Sequence, residues 1–399
     1  MKHEQKRPQQ LMFGFKLTIQ QGRMTNLGIF PKIIVLALFL LVLPYTLHTA
    51  EPPKTTDKSN SFLFIGNSFT FRHELKDIFK TLATEGNPGT NFIAERITYG
   101  GRDMFRHYDM FRSQDLLCLG SLTDAKLRES IDEMRKMAQP MPELPFYDGY
   151  WKSIDERLLV EYENYEAKDN GVRTARARTA NRKSTSWEED QKLITKSAIK
   201  HHQTWINNRS DYPAAWNYVV LQSWQDVSEN PETGYIKYAT LFAEAAKRQN
   251  TTPILYLTAP YSLNKEPVKE PMEPERALKE TRIAADMAKK TGAIVVPVPL
   301  AIYRLQKAGI PIVLGYKNDI HPNQTCAYLT ACLFYAAVFN KSPEGLALSE
   351  VAETKIVDAD KPGCDPDGNP LKRVFTEAER KLLQRTAWET MEAFRRGEF

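Results

Sequence analysis

Five short β-rich runs alternate with segments of helical spacing along this chain, and this alternation constrains the fold more than any other feature. The runs are FLFI, NFIAERI, YVVL, PILYLT and AIVVPV. Such alternation is typical of a parallel sheet with helices on both of its faces. The hydrophobic content of 42% is enough to build a substantial core. The sequence therefore predicts an α/β fold.

Helical periodicity is clearest in four segments. The helix that follows Ser68 has apolar residues at spacings of three and four, namely Leu75, Ile78, Phe79, Leu82 and Ala83. Further helices are predicted over 233–249 and 273–290. A helix over 324–339 is apolar nearly all round, so it is expected to be buried.

About a hundred residues between His107 and Tyr212 interrupt this rhythm. They have helical spacing but no convincing buried strand, so we predict a helical insertion at about 108–212. Its segment GVRTARARTANRK has five basic residues in thirteen. That segment is either a solvated loop or a contact for an anionic substrate. Residues 346–399 read as a Pro/Gly/Asp-rich loop and an amphipathic helix that packs on the main domain.

An apolar run near the start of the chain predicts export. A basic, polar lead ending at Lys32 is followed by IIVLALFLLVL at 33–43, and then by a proline and the small-residue site HTA. This order is typical of a signal peptide. As a helix the run spans roughly 16 Å, well short of a bilayer core of ~30 Å, so no permanent membrane anchor is expected. We predict a signal peptide over 1–50, a linker over 51–61, and a periplasmic or extracellular protein.

The formal net charge of +5 comes from the same leader. Six of the 54 basic residues and one of the 49 acidic residues lie in 1–50, so the remainder carries equal numbers of both signs. A neutral main body argues against a nucleic-acid binder. The four cysteines include no CxxC pair, which gives no sign of a metal site.

Ser68 lies in the stretch FLFIGNSFT at 62–70, on the predicted turn from a strand into a helix. At such a turn the first backbone N–H groups are unpaired and can hold a developing oxyanion, and the helix dipole favours negative charge. The same position is where Ser or Asn caps a helix. The stretch alone leaves both roles open. The strict GxSxG elbow is excluded, because it needs a glycine at position 70 and this chain has Thr70.

A serine nucleophile needs a base, and His321 is the best placed histidine of the main body. It lies in GYKNDIHPN, on a loop just before the buried helix, where active sites form in α/β sheets. Asn318 or Asp319 could orient its ring. The alternative reading of DIHPN is a simple turn with Asn323 as a helix cap.

Four short blocks, taken in order, resemble the SGNH (GDSL-like) hydrolases. The first is GNSFT at 66–70, which is similar to the first block of one subgroup of that family. The others are YGGRDMFRH at 99–107, YVVLQS at 218–223 and KNDIHPNQTCAYLTA at 317–331. The resemblance covers about 62–345, taken as the hydrolase domain, and skips the insertion.

The resemblance implies a three-layer α/β/α sandwich around a parallel sheet of about five strands, similar to flavodoxin, that carries a serine esterase. Ser68 would attack an ester carbonyl while His321 takes its proton. The N–H groups of Ser68 and Gly101 and the side-chain amide of Gln222 would hold the oxyanion. No metal or cofactor is required.

Two residues depart from the pattern of the family. The DxxH motif would place a carboxylate at 318, where this chain has Asn318, and Asp319 is one residue closer to His321. An amide would stabilise an imidazolium less than a carboxylate does. The subgroup usually has a glycine where this chain has Cys326.

The function expected from the resemblance is hydrolysis of carboxylic esters of carbohydrates, with acetyl esters first. A small-molecule or polysaccharide ester is the expected partner. One alternative, motivated by Asn318, is a carbohydrate-binding protein with weak or no catalysis. Another is a lipid or thioester hydrolase in which the helical insertion forms an apolar lid.

Overall fold

The sheet of this protein has five parallel strands in the order β2-β1-β3-β4-β5, as seen in a computed structural model. The strands are β1 (Ser59–Gly66), β2 (Asn91–Thr98), β3 (Tyr218–Gln222), β4 (Thr252–Leu257) and β5 (Ile294–Pro297). The structure describes residues 59–137, 187–223, 227, 234–258, 274–317, 319, 321–354 and 363–399. These residues belong to one compact unit that spans Thr55–Phe399.

Helices connect the strands and cover the sheet. They are α1 (Ser68–Phe71), α2 (Leu75–Gly86), α3 (Ser113–Leu117), α4 (Asp124–Met137), α5 (Trp187–Asn207), α6 (Tyr235–Arg248), α7 (Pro274–Thr291), α8 (Val298–Lys307), α9 (Gln324–Phe339) and α10 (Glu377–Arg396). A small antiparallel sheet of two strands follows α9, formed by β6 (Glu350–Ala352) and β7 (Lys372–Val374). Within the described residues, no helix has both the length and the apolar character that a membrane span needs.

The run FLFI shows why the protein has three layers. Successive side chains of a strand point to opposite faces, so Phe62 and Phe64 enter one core while Leu63 and Ile65 enter the other. The first core is completed by α2, α8, α9 and α10, and the second by α6, α7 and the helices of the insertion. Both faces of a parallel strand are therefore buried, as the unbroken apolar run requires.

The predicted α/β/α sandwich with five parallel strands is confirmed. All five predicted strands form, and the predicted apolar residues of α2 are buried. The helix predicted to be apolar all round is α9, whose residues from Gln324 to Ala336 are all buried. The helix α8 was not predicted from the sequence. It starts directly after β5, in the apolar run VPLAI.

The described parts of the insertion are helical, with α3, α4 and α5 packed around Leu127, Ile131 and Trp205 in the second core. The basic segment GVRTARARTANRK lies outside the described residues, as do the predicted signal peptide over 1–50 and most of the linker. The C-terminal helix α10 packs on α9 through Leu383, Ala387 and Met391.

Candidate active site

The site lies at the carboxyl end of β1, between β2 and β3. The chain leaves β1 towards α2 on one face of the sheet, and leaves β2 towards the insertion helices on the other face. In an open α/β sheet a crevice forms where two such connections diverge, and ligands bind there. The turn after β1 carries Ser68, so the topology places this side chain in the crevice.

Asn67, and not Ser68, caps the helix that follows β1. The Oδ1 atom of Asn67 accepts the backbone N–H of Phe69 at 3.1 Å. This leaves the hydroxyl of Ser68 available for another partner. The helix α1 ends after four residues, where His73 and Glu74 adopt left-handed backbone angles. A single turn has only a small dipole, so any help to an anion at Ser68 comes from backbone N–H groups nearby.

Ser68, His321 and Asp319 form a continuous hydrogen-bonded chain. The Oγ atom of Ser68 is 2.7 Å from Nε2 of His321. The Nδ1 atom of His321 bonds to Oδ1 of Asp319. This is the order nucleophile, base and orienting carboxylate that an activated serine requires. The ring of Phe69 packs against the imidazole, with 5.4 Å between ring centroids.

A local turn explains how an aspartate only two residues before the histidine reaches its ring. The Oδ1 atom of Asp319 also accepts the backbone N–H of His321 at 3.2 Å, which forms an Asx-type turn. One carboxylate oxygen therefore contacts both the backbone and the imidazole of the same residue. The structure assigns the contact with Nδ1 to Asp319. Asn318, the other candidate from the sequence, lies outside the described residues.

Arg72 holds the second oxygen of this carboxylate. Its Nη1 donates to Oδ2 of Asp319 at 3.0 Å. Burial alone would raise the pKa of Asp319, but the hydrogen bonds and charges of His321 and Arg72 outweigh it and hold that pKa well below its usual range. Asp319 is therefore an anion at every pH at which the protein would be assayed.

The residues around Pro322 are held by the same turn that carries Arg72. His73 bonds through Nε2 to the carbonyl of Pro322 at 2.9 Å, and burial lowers the pKa of His73, so it is neutral and donates this bond. Asn323 caps α9 by accepting the N–H groups of Thr325 and Cys326. The two readings of DIHPN are thus compatible, because the cap fixes the loop that presents His321.

Two backbone N–H groups, on the turns that follow β1 and β2, could hold an oxyanion. Ser68 is the first residue of α1, and Gly101 follows β2, the neighbour of β1. Among the described residues, no acceptor takes either N–H group. Gly101 has φ +65°, which an L-residue with a side chain rarely adopts. Asn67 ties the two turns together, because its Nδ2 donates to the carbonyl of Arg102 at 3.0 Å.

The predicted role of Gln222 as an oxyanion donor needs correction. Its side chain is buried at the end of β3, and its Nε2 donates to Oδ1 of Asn67 at 2.7 Å and to the carbonyl of Ser223 at 2.9 Å. Its Oε1 accepts the N–H of Asn67 at 2.8 Å and the hydroxyl of Thr70 at 2.5 Å. These partners fix which end of the amide is nitrogen. Both amide hydrogens are used, so Gln222 supports Asn67 and offers nothing to an oxyanion.

Gly66 is required at the end of β1 by this same contact. A Cβ atom at this position would lie 2.4 Å from Oε1 of Gln222 and 2.7 Å from Oγ1 of Thr70. Distances this short are not tolerated, so any side chain here would displace the amide.

Three other histidines are structural in this arrangement. His107 bonds through Nε2 to the carbonyl of Gly66 at 2.8 Å and through Nδ1 to Oγ of Ser113 at 2.9 Å. Burial lowers the pKa of His107 to about 3, so it is neutral. Burial also lowers the pKa of His201 to about 4 and lowers that of His202. None of these residues contacts Ser68.

Cys326 has a packing role. It is fully buried in the first turn of α9, and burial raises the pKa of its thiol to about 12, so it is not a reactive thiolate. None of the four cysteines forms a disulfide.

Comparison with known proteins gave two solved structures. One is a protein from Slackia heliotrinireducens described as a candidate SGNH hydrolase, with 14% identity, a TM-score of 0.35, and coverage of 70% of this chain and 98% of the other. The second is a gut microbial diltiazem-metabolizing enzyme, with 11% identity, a TM-score of 0.31, and coverage of 71% and 48%. Scores this low assign neither a fold nor a function. No protein-family profile and no curated protein matches the chain.

Proposed function

We propose that this protein is a serine hydrolase of the SGNH type that cleaves carboxylic esters. The observation that carries the proposal is the chain of contacts from Ser68 Oγ through both nitrogens of His321 to the carboxylate of Asp319. The fold itself does not require a hydrogen-bonded series of serine, histidine and aspartate in a crevice. Nucleophilic catalysis by a serine does require one. The four sequence blocks that resemble the family support the same assignment.

In the proposed mechanism Ser68 attacks the ester carbonyl while Nε2 of His321 accepts its proton. Asp319 keeps the other proton on Nδ1 and stabilises the imidazolium that forms. The N–H groups of Ser68 and Gly101 hold the negative oxygen of the tetrahedral intermediate. His321 then protonates the leaving alcohol, and a water molecule releases the acyl group from Ser68 by the same route in reverse.

The finer parts of the proposal rest on the sequence. Acetyl esters of carbohydrates are the proposed substrates because of the resemblance to the family, and export is proposed from the leader over 1–50. The alternative of a carbohydrate-binding protein with weak catalysis was motivated by Asn318. The contact of Asp319 with His321 supplies a carboxylate to the imidazole, which argues against that alternative.

The first experiment compares the full chain with its Ser68→Ala variant on a small chromogenic acetate ester. We expect hydrolysis by the parent protein and a loss of kcat of at least about 10³-fold in the variant, because the nucleophile is absent. Equal unfolding midpoints in denaturant would show that the fold is intact. Equal rates in the two proteins would rule out the proposed function. A series of acyl chain lengths then separates an acetyl esterase from a lipid hydrolase.

A further inference from the structure

A buried ion cluster lies directly behind the proposed catalytic residues and is not part of the mechanism above. Arg72 is 1% exposed, and its guanidinium lies between the carboxylates of Asp319 and Glu353. Glu353 follows β6, in the C-terminal segment beyond the predicted hydrolase domain. The cluster therefore connects the proposed site to a part of the chain that the resemblance does not cover.

The contacts of Arg72 are divided between the two carboxylates. Nε lies 2.8 Å and 3.0 Å from the two oxygens of Glu353, and Nη2 bonds to the same carboxylate. Nη1 alone donates to Oδ2 of Asp319. Tyr316 adds a hydroxyl bond to Glu353 at 3.1 Å, and the guanidinium lies 5.6 Å from the centroid of its ring. The Nε and Nη2 edge of Arg72 is thus fixed on Glu353, and Nη1 is directed at Asp319.

Charge balance explains why both residues are needed. A lone guanidinium in this buried position would be costly, and the Glu353 carboxylate compensates it. With Glu353 in place, Arg72 can direct one N–H at Asp319 from a fixed position. Asp319 then has each oxygen committed, Oδ1 to His321 and Oδ2 to Arg72. A carboxylate held at both oxygens cannot rotate away from the imidazole.

We propose that Arg72 and Glu353 are positioning residues that hold Asp319 on Nδ1 of His321, so that the C-terminal segment completes the active site. The side chains of both residues contact Asp319 or its partner and not Oγ of Ser68, which bonds to His321; Arg72 meets Ser68 only through its backbone N–H, which donates to the Ser68 carbonyl. This proposal rests on the proposed hydrolase function for its kinetic readout, and the experiment below includes a second readout that does not need activity.

The kinetic test is a double-mutant cycle in the full chain. The pair Arg72→Gln with Glu353→Gln removes one cation and one anion together, so the net charge of the cluster is unchanged. We expect kcat to fall about 10-fold to 100-fold with little change in KM, as is typical when an outer partner of a functional side chain is lost. Asp319→Asn should lower kcat by about 10⁴-fold. In the Asp319→Asn background the Arg72 and Glu353 pair should cause no further loss, because its effect passes through Asp319.

A control ion pair elsewhere in the protein and a conservative variant of Arg72 separate an effect on Asp319 from a general loss of stability. Arg276 and Glu280 form an ion pair on α7, at 3.0 Å, in which Arg276 is partly exposed, and Arg276→Gln with Glu280→Gln should leave kcat unchanged. Arg72→Lys keeps the charge but loses the fork, so its kcat should lie between those of the parent and the neutral pair. Additive losses in the cycle would overturn the proposal, since they would mean that the cluster acts on the fold in general.

The second readout is the proton resonance of the His321 Nδ1–H in the inactive Ser68→Ala protein. A hydrogen bond to a fixed carboxylate gives this proton a far-downfield signal that exchanges slowly with water. We expect the signal in Ser68→Ala and its loss when the Arg72 and Glu353 substitutions are added. An unchanged signal would overturn the positioning role. Absence of esterase activity in the parent protein, with the signal behaving as expected, would instead count against the proposed function alone.

Discussion

Two histidines contact the two ends of the turn from Gly66 to Ser68, and their hydrogen-bond partners differ in one chemical respect. His107 binds the carbonyl of Gly66 and the hydroxyl of Ser113, and it is fully buried. His321 binds the hydroxyl of Ser68 and the carboxylate of Asp319, beside the crevice. Each imidazole has a serine hydroxyl at one nitrogen. Only His321 has a carboxylate at its other nitrogen, which is the arrangement that orients a catalytic imidazole and stabilises an imidazolium formed during catalysis.

The comparison extends to the side chains around each histidine. On the side of His107, which we call the scaffold side, Gln222 and Asn67 satisfy each other and the backbone, and the amide of Gln222 has no spare hydrogen. On the side of His321, the reacting side, the N–H groups of Ser68 and Gly101 have no acceptor among the described residues. Saturated polar groups hold a structure in place, and unsaturated ones are available for chemistry.

The largest effects are expected when His321 and His107 are each replaced by alanine. His321→Ala should lower kcat on the acetate ester by on the order of 10⁴-fold to 10⁶-fold, with the free energy of unfolding nearly unchanged. His107→Ala should lower the free energy of unfolding by about 3 kcal/mol or more, because it leaves a cavity and two buried groups without partners. The His107→Ala variant should keep most of the parent kcat per folded molecule. The comparison fails if the two variants lose activity equally while both remain folded.

Gln222 gives the second largest effect. Gln222→Met should lower the free energy of unfolding by about 3 kcal/mol, since it leaves the Asn67 N–H, the Thr70 hydroxyl and the Ser223 carbonyl without their partner. The matched variant Thr70→Val removes one of these bonds and should cost about 1 kcal/mol. Denaturant unfolding measures both. A loss of kcat of about 10²-fold or more at unchanged stability would return Gln222 to the oxyanion hole.

The smallest effect is the change in stability on the scaffold side over a single pH unit. Burial lowers the pKa of His107 to about 3, whereas the unfolded chain has a value near 6.5. The unfolded state therefore binds the proton more readily. The contribution of His107 is fully present above pH ~6.5 and is lost as the pH falls towards 3, at about 1.4 kcal/mol per pH unit. Unfolding midpoints should fall less steeply with acid in His107→Ala than in the parent, and identical slopes would contradict this assignment.

The fold and the reacting side were largely predictable from the sequence. Period-two and period-3.6 patterns are set by burial, and the sheet and α2 follow them closely. Ser68 and His321 are recognisable because a strand-to-helix turn and a loop before a buried helix are places where parallel sheets build sites. The turn that joins Asp319 to His321 could not be read from spacing, because it depends on a bond between a side chain and its own local backbone.

The scaffold side was less predictable. Gln222 has the right residue type in the right place for a donor, and only the positions of its four partners show that it is saturated. Arg72 and Glu353 are separated by 281 positions in the chain, and no pattern of charge or hydrophobicity links them. Pairings of this kind are fixed by tertiary structure alone.

The distance in sequence between Arg72 and Glu353 has a consequence for biosynthesis. At about 5 to 20 residues per second, a ribosome adds the glutamate on the order of tens of seconds after the arginine. During that interval Ser68 and Arg72 have been made, but the carboxylate that fixes the fork of Arg72 has not. The ion cluster can therefore close only after Glu353 has been made, so the nascent chain gains the proposed reacting geometry no earlier than that point.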